Sequence, residues 1–481
     1  MDVDFLQALI EAEGVCQQDL SESNPYRLLG FDGDKKRLGW MRVIEFSQIK
    51  EKLQSISKIT DKFDNFIFVG MGGSVNGMKP LFSMLKGSNL YALDSLDPAA
   101  VEEIIKSIGD FSKTLIIPIT KSGTTKETQA ISATLRDLIG ENWKNQFLWL
   151  ADPESFTKID SFGWETTEKT TIQFDGQNDI GGRFSCPHTL IFMLPLMLLL
   201  KKDLAKVEEI YNTYLSHRRQ ILQQAVSLAN KHKGLDPAYF FPEVSKDLQL
   251  VFESWLYQLF QESLGSKKDN LAVKTIVCRE GNDGMFVPIK LDINISDPTA
   301  YLMCQMFFFQ VFVALYAGLG ELNFVNQDFV EKYKSQMRKL EGEKVDGIAA
   351  KSLEEVIEST KSVAEKYKFI DIVLYFHPCD GEVAAIKNSF KNAFADKRII
   401  VVVGSDWNHH SYQATSGDKE TFFLFLLAAD YKTSVEPINK QILENNIESL
   451  KIIGKATYLT LEDKSLFLAL KRRFCKEGIN E

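Results

Sequence analysis

The chain has 481 residues, 44% of them hydrophobic and 25% charged, with a formal net charge of −9 at pH 7. That length allows two or three domains of about 150 residues, and the composition is that of a folded globular protein, which excludes long disorder. The acidic balance argues against a nucleic-acid-binding surface but leaves room for a local basic pocket that takes a small anion.

The first 45 residues read as a mixed cap, in which Phe5, Leu6, Leu9 and Ile10 fit one helical face and Asp32-Gly33-Asp34 marks a turn. A βα pattern then begins. Phe66–Val69 reads as a buried parallel strand, followed by Gly70-Met-Gly-Gly-Ser74 and a helix. Tyr91–Leu93 and Leu115–Ile119 read as the next strands, although Pro118 is unusual inside one. A helix is expected from Lys126 to Ile139 and a fourth strand over Phe147–Leu150. Alternating strands and helices predict a doubly wound parallel sheet. Leu190 to Leu200 is the longest apolar run; Pro195 interrupts it, and it falls short of the ~20 residues that span a bilayer. It reads as a buried helix, so no membrane partner is expected. Val207–Leu228 reads as a helix bridging two domains, and Pro237 and Pro242 as their boundary. Strand-like runs at Ile370–Phe376, Ile399–Val403 and Phe422–Leu427 indicate a second α/β domain. The expected division is a cap over 1–45, a first domain over 46–235 and a second over 236–481. The six cysteines contain no C-x-x-C pair, and the start, Met1-Asp-Val-Asp, lacks the basic and apolar regions of a signal peptide; both point to a reducing, cytoplasmic setting.

Several motifs carry chemistry. In Gly70–Ser74, glycines between a strand and a helix let the backbone approach an anion; Gly73 and Ser74 are the candidate contacts, and a tight turn with no ligand is the equal alternative. Thr120-Lys-Ser-Gly-Thr-Thr125 offers Thr120, Ser122, Thr124 and Thr125 as hydroxyl donors, with Lys121 among them, at another strand-to-helix junction. Such density suits a phosphate dianion; a well-capped helix start is the plainer alternative. Ligands in open α/β sheets bind at this carboxyl edge. Gly181-Gly-Arg183-Phe-Ser185 places a guanidinium where it could stabilise an oxyanion. Glu262, in Gln258-Leu-Phe-Gln-Glu262-Ser-Leu-Gly265, could be a general base or a solvated helix-end residue. His409-His410 is a poor metal pair, since adjacent residues share no face; His410 is a candidate proton shuttle or a surface histidine. No metal motif is present.

In this order the pieces resemble glucose-6-phosphate isomerases. Gly70–Ser74 resembles the family's first phosphate turn, Thr120–Thr128 its second, and Gly181–Ser185 its Gly-Gly-Arg-Phe/Tyr-Ser motif. Gln258 and Glu262 match a Gln four residues before the catalytic Glu, Gln327 and Lys334 a Gln and Lys seven apart, and His410-Ser411 a His-Ser segment. The order, with Lys before His, and Arg37-Leu-Gly-Trp40 are similar to the isomerase half of bacterial transaldolase–glucose-6-phosphate isomerase fusions; no transaldolase barrel is expected here. Thr120 stands for the family's usual Ser, Asn326 for its Asp, and the segment after His410 is shorter, which affects the register of that histidine.

The resemblance implies two sugar-isomerase-type doubly wound α/β domains with parallel sheets flanked by helices. It implies glucose 6-phosphate–fructose 6-phosphate isomerisation through an enediol, with the phosphate on Gly73, Ser74, Thr120, Lys121, Ser122 and Thr125. Glu262 would be the base, Arg183 the enediolate partner, His410 with Lys334 the ring-opening pair, and Gln258 and Gln327 hydroxyl contacts. No metal or organic cofactor is implied. Because the family's histidine comes from a neighbouring subunit, a homodimer is. The rival expectation is a non-catalytic sugar-phosphate sensor or an isomerase of another phosphosugar such as mannose 6-phosphate; a sensor would not need Arg183, Glu262 and Lys334 together.

Overall fold

A computed structural model describes residues 4–85, 89–265, 273–277 and 284–472. A small antiparallel ribbon, β1 (Phe31–Asp32) with β2 (Lys35–Lys36), belongs to the N-terminal cap. The first sheet is formed by β3 (Asn65–Val69), β4 (Leu90–Leu93), β5 (Thr114–Thr120), β6 (Leu148–Ala151) and β7 (Glu168–Thr171). All its pairings are parallel, in the order β4-β3-β5-β6-β7. The chain therefore steps outward from β3 to β4 and returns across β3 to β5. This reversal opens a crevice at the carboxyl ends of β3 and β5, where Gly70–Ser74 and Thr120–Thr125 lie.

Pro118 is accommodated by a break in the ladder. Ile116 N–H donates to Gln146 O across to β6 (2.8 Å). Pro118, two residues on, turns the same way with no proton to donate. Pairing with β6 accordingly lapses between the Ile116–Phe147 bridge and the Ile119–Leu150 pair, while Val69 still pairs Pro118 on the β3 side.

Strand alternation splits the core. Phe68, Ile117 and Leu150 face one buried cluster with Phe192, Phe240 and Phe307. Ile67, Ile116 and Trp149 face another that includes Val373 and Phe425 of the second sheet. The second sheet consists of β11 (Ala350–Lys351), β12 (Phe369–Tyr375), β13 (Arg398–Val403), β14 (Thr421–Ala428) and β15 (Ser465–Leu470), parallel in the order β11-β15-β14-β12-β13. Two doubly wound α/β sheets are thus present, as expected from the sequence. Between them in the chain lies a parallel trio, β8 (Ala238–Pro242) flanked by β9 (Val273–Thr275) and β10 (Val287–Ile289). The segment read as a boundary from its prolines is this buried strand, with Pro242 at its last position. The polar edge strand β7 and the strand β15 are additional to those expected.

Helix Leu204–His232 packs along helix Pro298–Leu319. The latter is long and apolar enough to cross a bilayer by length and composition, but 94% of its apolar window is buried within the protein. Leu190–Leu200 is therefore not the only strongly apolar stretch. The expectation of reduced cysteines changes at one position: Cys379 is disulfide-bonded, while Cys16, Cys186 and Cys304 are free. Cys278 and Cys475 lie outside the described residues.

A buried ion pair ties the small sheet to the second one. Lys274 Nζ on β9 donates to Asp371 Oδ2 on β12 (2.6 Å) and to Thr421 Oγ1 on β14 (3.1 Å). Both charged side chains are buried, so removing the amine alone leaves a carboxylate without its counter-ion. Lys274→Ala is expected to lower the unfolding free energy by ~3–5 kcal/mol in chemical denaturation. Exposed Lys106→Ala should change it by less than about 0.5 kcal/mol.

Candidate active site

The two hydroxyl- and glycine-rich turns meet the crevice as neighbours. At the end of β3, Gly72–Ser74 forms a tight helical turn, and Gly72 has φ +54°. A Cβ on Gly72 would lie 3.0 Å from Gln258 Nε2 and from His409 Cβ, and one on Gly73 would fall 2.3 Å from the Gly182 carbonyl carbon. Glycine is required at both positions because the turn packs directly on the Gly181–Ser185 segment and on the His409 segment. At the end of β5, Thr120 Oγ1 lies 3.2 Å from Thr125 Oγ1, and Ser122 Oγ 2.9 Å from Thr124 Oγ1. Thr125 sits at the N-cap of helix Lys126–Ile139 without its side chain capping it. Lys121 leans away from these hydroxyls, donating to Ile180 O and lying 3.5 Å from Asp152. Burial lowers the Lys121 pKa and raises that of Asp152 to about 6.

Helix Gln249–Tyr257 widens into a π-turn over Gln258–Glu262, a local distortion that is common at functional sites. It delivers Glu262 to Arg183, Oε2 to Nη1 at 3.5 Å, with both side chains almost wholly buried. The guanidinium is fixed by donating from Nε to Ser263 Oγ (2.7 Å) and from Nη2 to Phe324 O (2.6 Å). Burial raises the Glu262 pKa above the ordinary carboxylate range, against the lowering charge of Arg183 and, more weakly, of His409 and Lys334. Gln258 Nε2 donates to His409 O (2.8 Å).

The two histidines part company. They lie on the one-turn helix Asp406–His410 that follows β13, where neighbouring residues diverge by about 100°. His410 was the expected shuttle, but its side chain is 1% exposed, its Nδ1 lies 2.6 Å from Ser411 Oγ, and burial pushes its pKa down. His409 is 23% exposed, and its Nε2 lies 3.0 Å from Glu127 Oε1. Burial alone would lower the His409 pKa, but the bond to Glu127 and the charges of Glu127 and Asp406 outweigh it and raise it. Glu127 is in turn held below its usual value: the hydrogen bond and charge of His409 outweigh the effect of its own burial.

A cavity of 320 Å³ opens at Arg183, lined also by Arg37, Lys121, Gln327 and Lys334, with Asp32 and Glu331 as acidic members. Lys334 lies on helix Val330–Lys339. Gln413 Oε1 accepts the N–H groups of Phe329 and Val330 (3.0 and 3.3 Å) at the start of that helix, and Gln413 Nε2 donates to Gly265 O (2.9 Å) just beyond Glu262. One buried amide thus joins the lysine, glutamate and histidine segments. Among the described residues no group of three or more His, Cys, Asp and Glu side chains could hold a metal ion.

Residues 42–208, which carry both turns and Arg183, match the family model described as phosphoglucose isomerase. Over that stretch the chain is similar to glucose-6-phosphate isomerases. It is 28% identical over 276 residues to a glucose-6-phosphate isomerase of Thermus thermophilus, covering 55% of this chain and 64% of that protein. The enzyme of Prochlorococcus marinus is 29% identical over 261 residues, covering 50% of this chain and 46% of that one. These alignments span less than two thirds of the relatives' own lengths. Among solved structures, a glucose-6-phosphate isomerase from Chlamydia trachomatis superimposes with a TM-score of 0.49 at 16% identity, covering 70% of this chain and 84% of that one.

Sequence reasoning missed Glu127, His409 and Arg37 as members of this candidate site. Glu127 was in view as part of the Thr-Thr-Lys-Glu-Thr run, but a glutamate in a first helical turn is explained equally well as a cap.

Proposed function

We propose that the chain is a phosphosugar isomerase that interconverts glucose 6-phosphate and fructose 6-phosphate through an enediol. The observation that carries this reading is the buried Arg183–Glu262 pair at 3.5 Å, beside the His409–Glu127 pair at 3.0 Å, at the edge of a sheet whose turns are lined with hydroxyls. A carboxylate with a raised pKa is matched to moving a proton between C2 and C1. The guanidinium beside it, fixed by Ser263 and the Phe324 carbonyl, would stabilise the enediolate as charge develops. His409, rather than His410, would protonate the ring oxygen, since Glu127 favours its protonated form and its ring is partly exposed. Lys334 would assist, Gln258 and Gln327 would orient hydroxyls, and Ser74, Thr120, Ser122 and Thr125 would hold the phosphate.

The homodimer and cytoplasmic location stay within this proposal on the resemblance alone. Within one chain, His409 Nε2 lies 3.0 Å from Glu127 Oε1. Mass photometry checks the assembly.

Conversion of fructose 6-phosphate, coupled to glucose 6-phosphate oxidation, tests the activity, with mannose 6-phosphate as the competing substrate. Binding of either sugar phosphate without turnover would favour a sensor. Ser122→Ala should weaken glucose 6-phosphate binding in calorimetry by about tenfold, the effect of one lost hydrogen bond to a charged group.

A further inference from the structure

Asp406 opens the one-turn helix that presents His409, yet its side chain is spent elsewhere. It is buried, and its Oδ1 accepts the backbone N–H of Gly72 (3.3 Å) and the side-chain amide of Asn76 (2.9 Å), which also reaches Oδ2 (3.2 Å). Gly72 and Asn76 flank Ser74 in the first turn, 330 and more residues away in sequence. The charged and titratable groups around this carboxylate are Lys79, itself paired with Asp94 at 2.6 Å, His410, whose Nε2 lies 3.8 Å from Oδ2, and His409. Around His409 the corresponding groups are Glu127, Asp406 and Lys334, with Glu262 across the cleft. Burial would raise the Asp406 pKa, but Lys79, the histidines and the Asn76 amide outweigh it, so the carboxylate stays charged.

We propose that Asp406 is a positioning residue that fastens the Gly70–Ser74 turn to the His409 segment, so that the phosphate-holding turn and the ring-opening imidazole move as one rigid unit. This rests on His409 being the ring-opening group. A buried carboxylate that accepts a backbone N–H and a side-chain amide has a determinate geometry, because leaving either donor unpaired in the interior is costly. Its charge has a second consequence. Being negative, it favours the protonated form of His409.

Asp406→Asn keeps an acceptor for one donor and removes the charge; Asp406→Ala removes both. The imidazole titration of His409 is followed by NMR, with its signals assigned by comparison with His409→Asn. The dissociation constant for inorganic phosphate and the pH profile of kcat/KM are measured in parallel. In Asp406→Asn the His409 midpoint is expected to fall by about half a pH unit or more. The alkaline limb of kcat/KM should move to lower pH with it, because the acid form is lost earlier. In Asp406→Ala phosphate affinity should also fall, by about threefold or more, the Gly72 N–H having lost its anchor. An unchanged His409 midpoint in Asp406→Asn overturns the proposal, and so does an unchanged phosphate affinity in a folded Asp406→Ala. If the alanine variant does not fold, the asparagine variant decides alone. A wild type without turnover whose His409 midpoint still shifts in Asp406→Asn would sink the isomerase reading and leave the positioning role standing. An active wild type with an unmoved midpoint would do the reverse.

Discussion

Glu262→Gln is expected to lower kcat for fructose 6-phosphate isomerisation by ~10³-fold, within the range that a positioned general base contributes. It should leave the dissociation constant for glucose 6-phosphate within about threefold. The two effects separate because the carboxylate is buried against Arg183, whereas the hydroxyls proposed to hold the phosphate lie at the ends of β3 and β5. Glutamine preserves size and one acceptor oxygen but cannot take a proton from carbon. Its neutrality also removes the nearer counter-charge of the buried Arg183, leaving only the weaker one of Asp32. A lower thermal midpoint is therefore expected alongside the lost turnover, and binding must be measured well below it. In the wild type, activity should rise with pH as Glu262 ionises, with a midpoint above the ordinary carboxylate value of 4.5, since burial raises it. Glu262→Gln should remove that limb rather than move it.

His409→Asn should lower kcat/KM by ~10²-fold, in the lower part of the range for a positioned proton donor, while His410→Asn should cost far less activity and show itself mainly in stability. The distinction follows from exposure and partners. His409 is partly exposed and paired with Glu127, whereas His410 is enclosed, with its ring 5.8 Å from that of Tyr257. The sign with pH follows too. The folded-state pKa of His409 is raised above 6.5, so its acid form, and with it ring opening, is lost only above that value. The bond to Glu127 stabilises the fold in full between pH 4.5 and 6.5; it fades as pH rises through the raised His409 pKa and as pH falls through the lowered Glu127 pKa. Equal losses in the two histidine variants would contradict the assignment.

What was legible in the sequence was local. Gly70–Ser74 and Thr120–Thr125 stand at strand-to-helix junctions, and both strand and turn chemistry are written within a few residues, so their place at a carboxyl edge could be read directly. The β4-β3-β5 reversal that makes them neighbours could not be, because strand order depends on pairings across the chain. The choice between His409 and His410 turns on which side of a single helical turn is enclosed, and two adjacent histidines carry no periodicity to reveal it. Ala238–Pro242 is a buried strand with Pro237 just before it; the small sheet absorbs Pro242 because it stands at the strand's end. Pro298–Leu319 escaped notice as a core helix since its Gln305 and Gln310 break the apolar run. Both are buried, and the Gln310 amide is used, donating to Cys186 O at 2.7 Å. Asp406 reaches Gly72 over a separation that no local pattern records.

A proton moved by Glu262 between C2 and C1 of a phosphorylated hexose is detected by following fructose 6-phosphate by NMR in deuterated buffer with wild type and Glu262→Gln. The expected result is glucose 6-phosphate carrying solvent deuterium at C2 with the wild type, and neither product nor exchange with the variant. A wild type that binds fructose 6-phosphate yet leaves its protons unexchanged, or a variant that exchanges them as fast as the wild type, would contradict it.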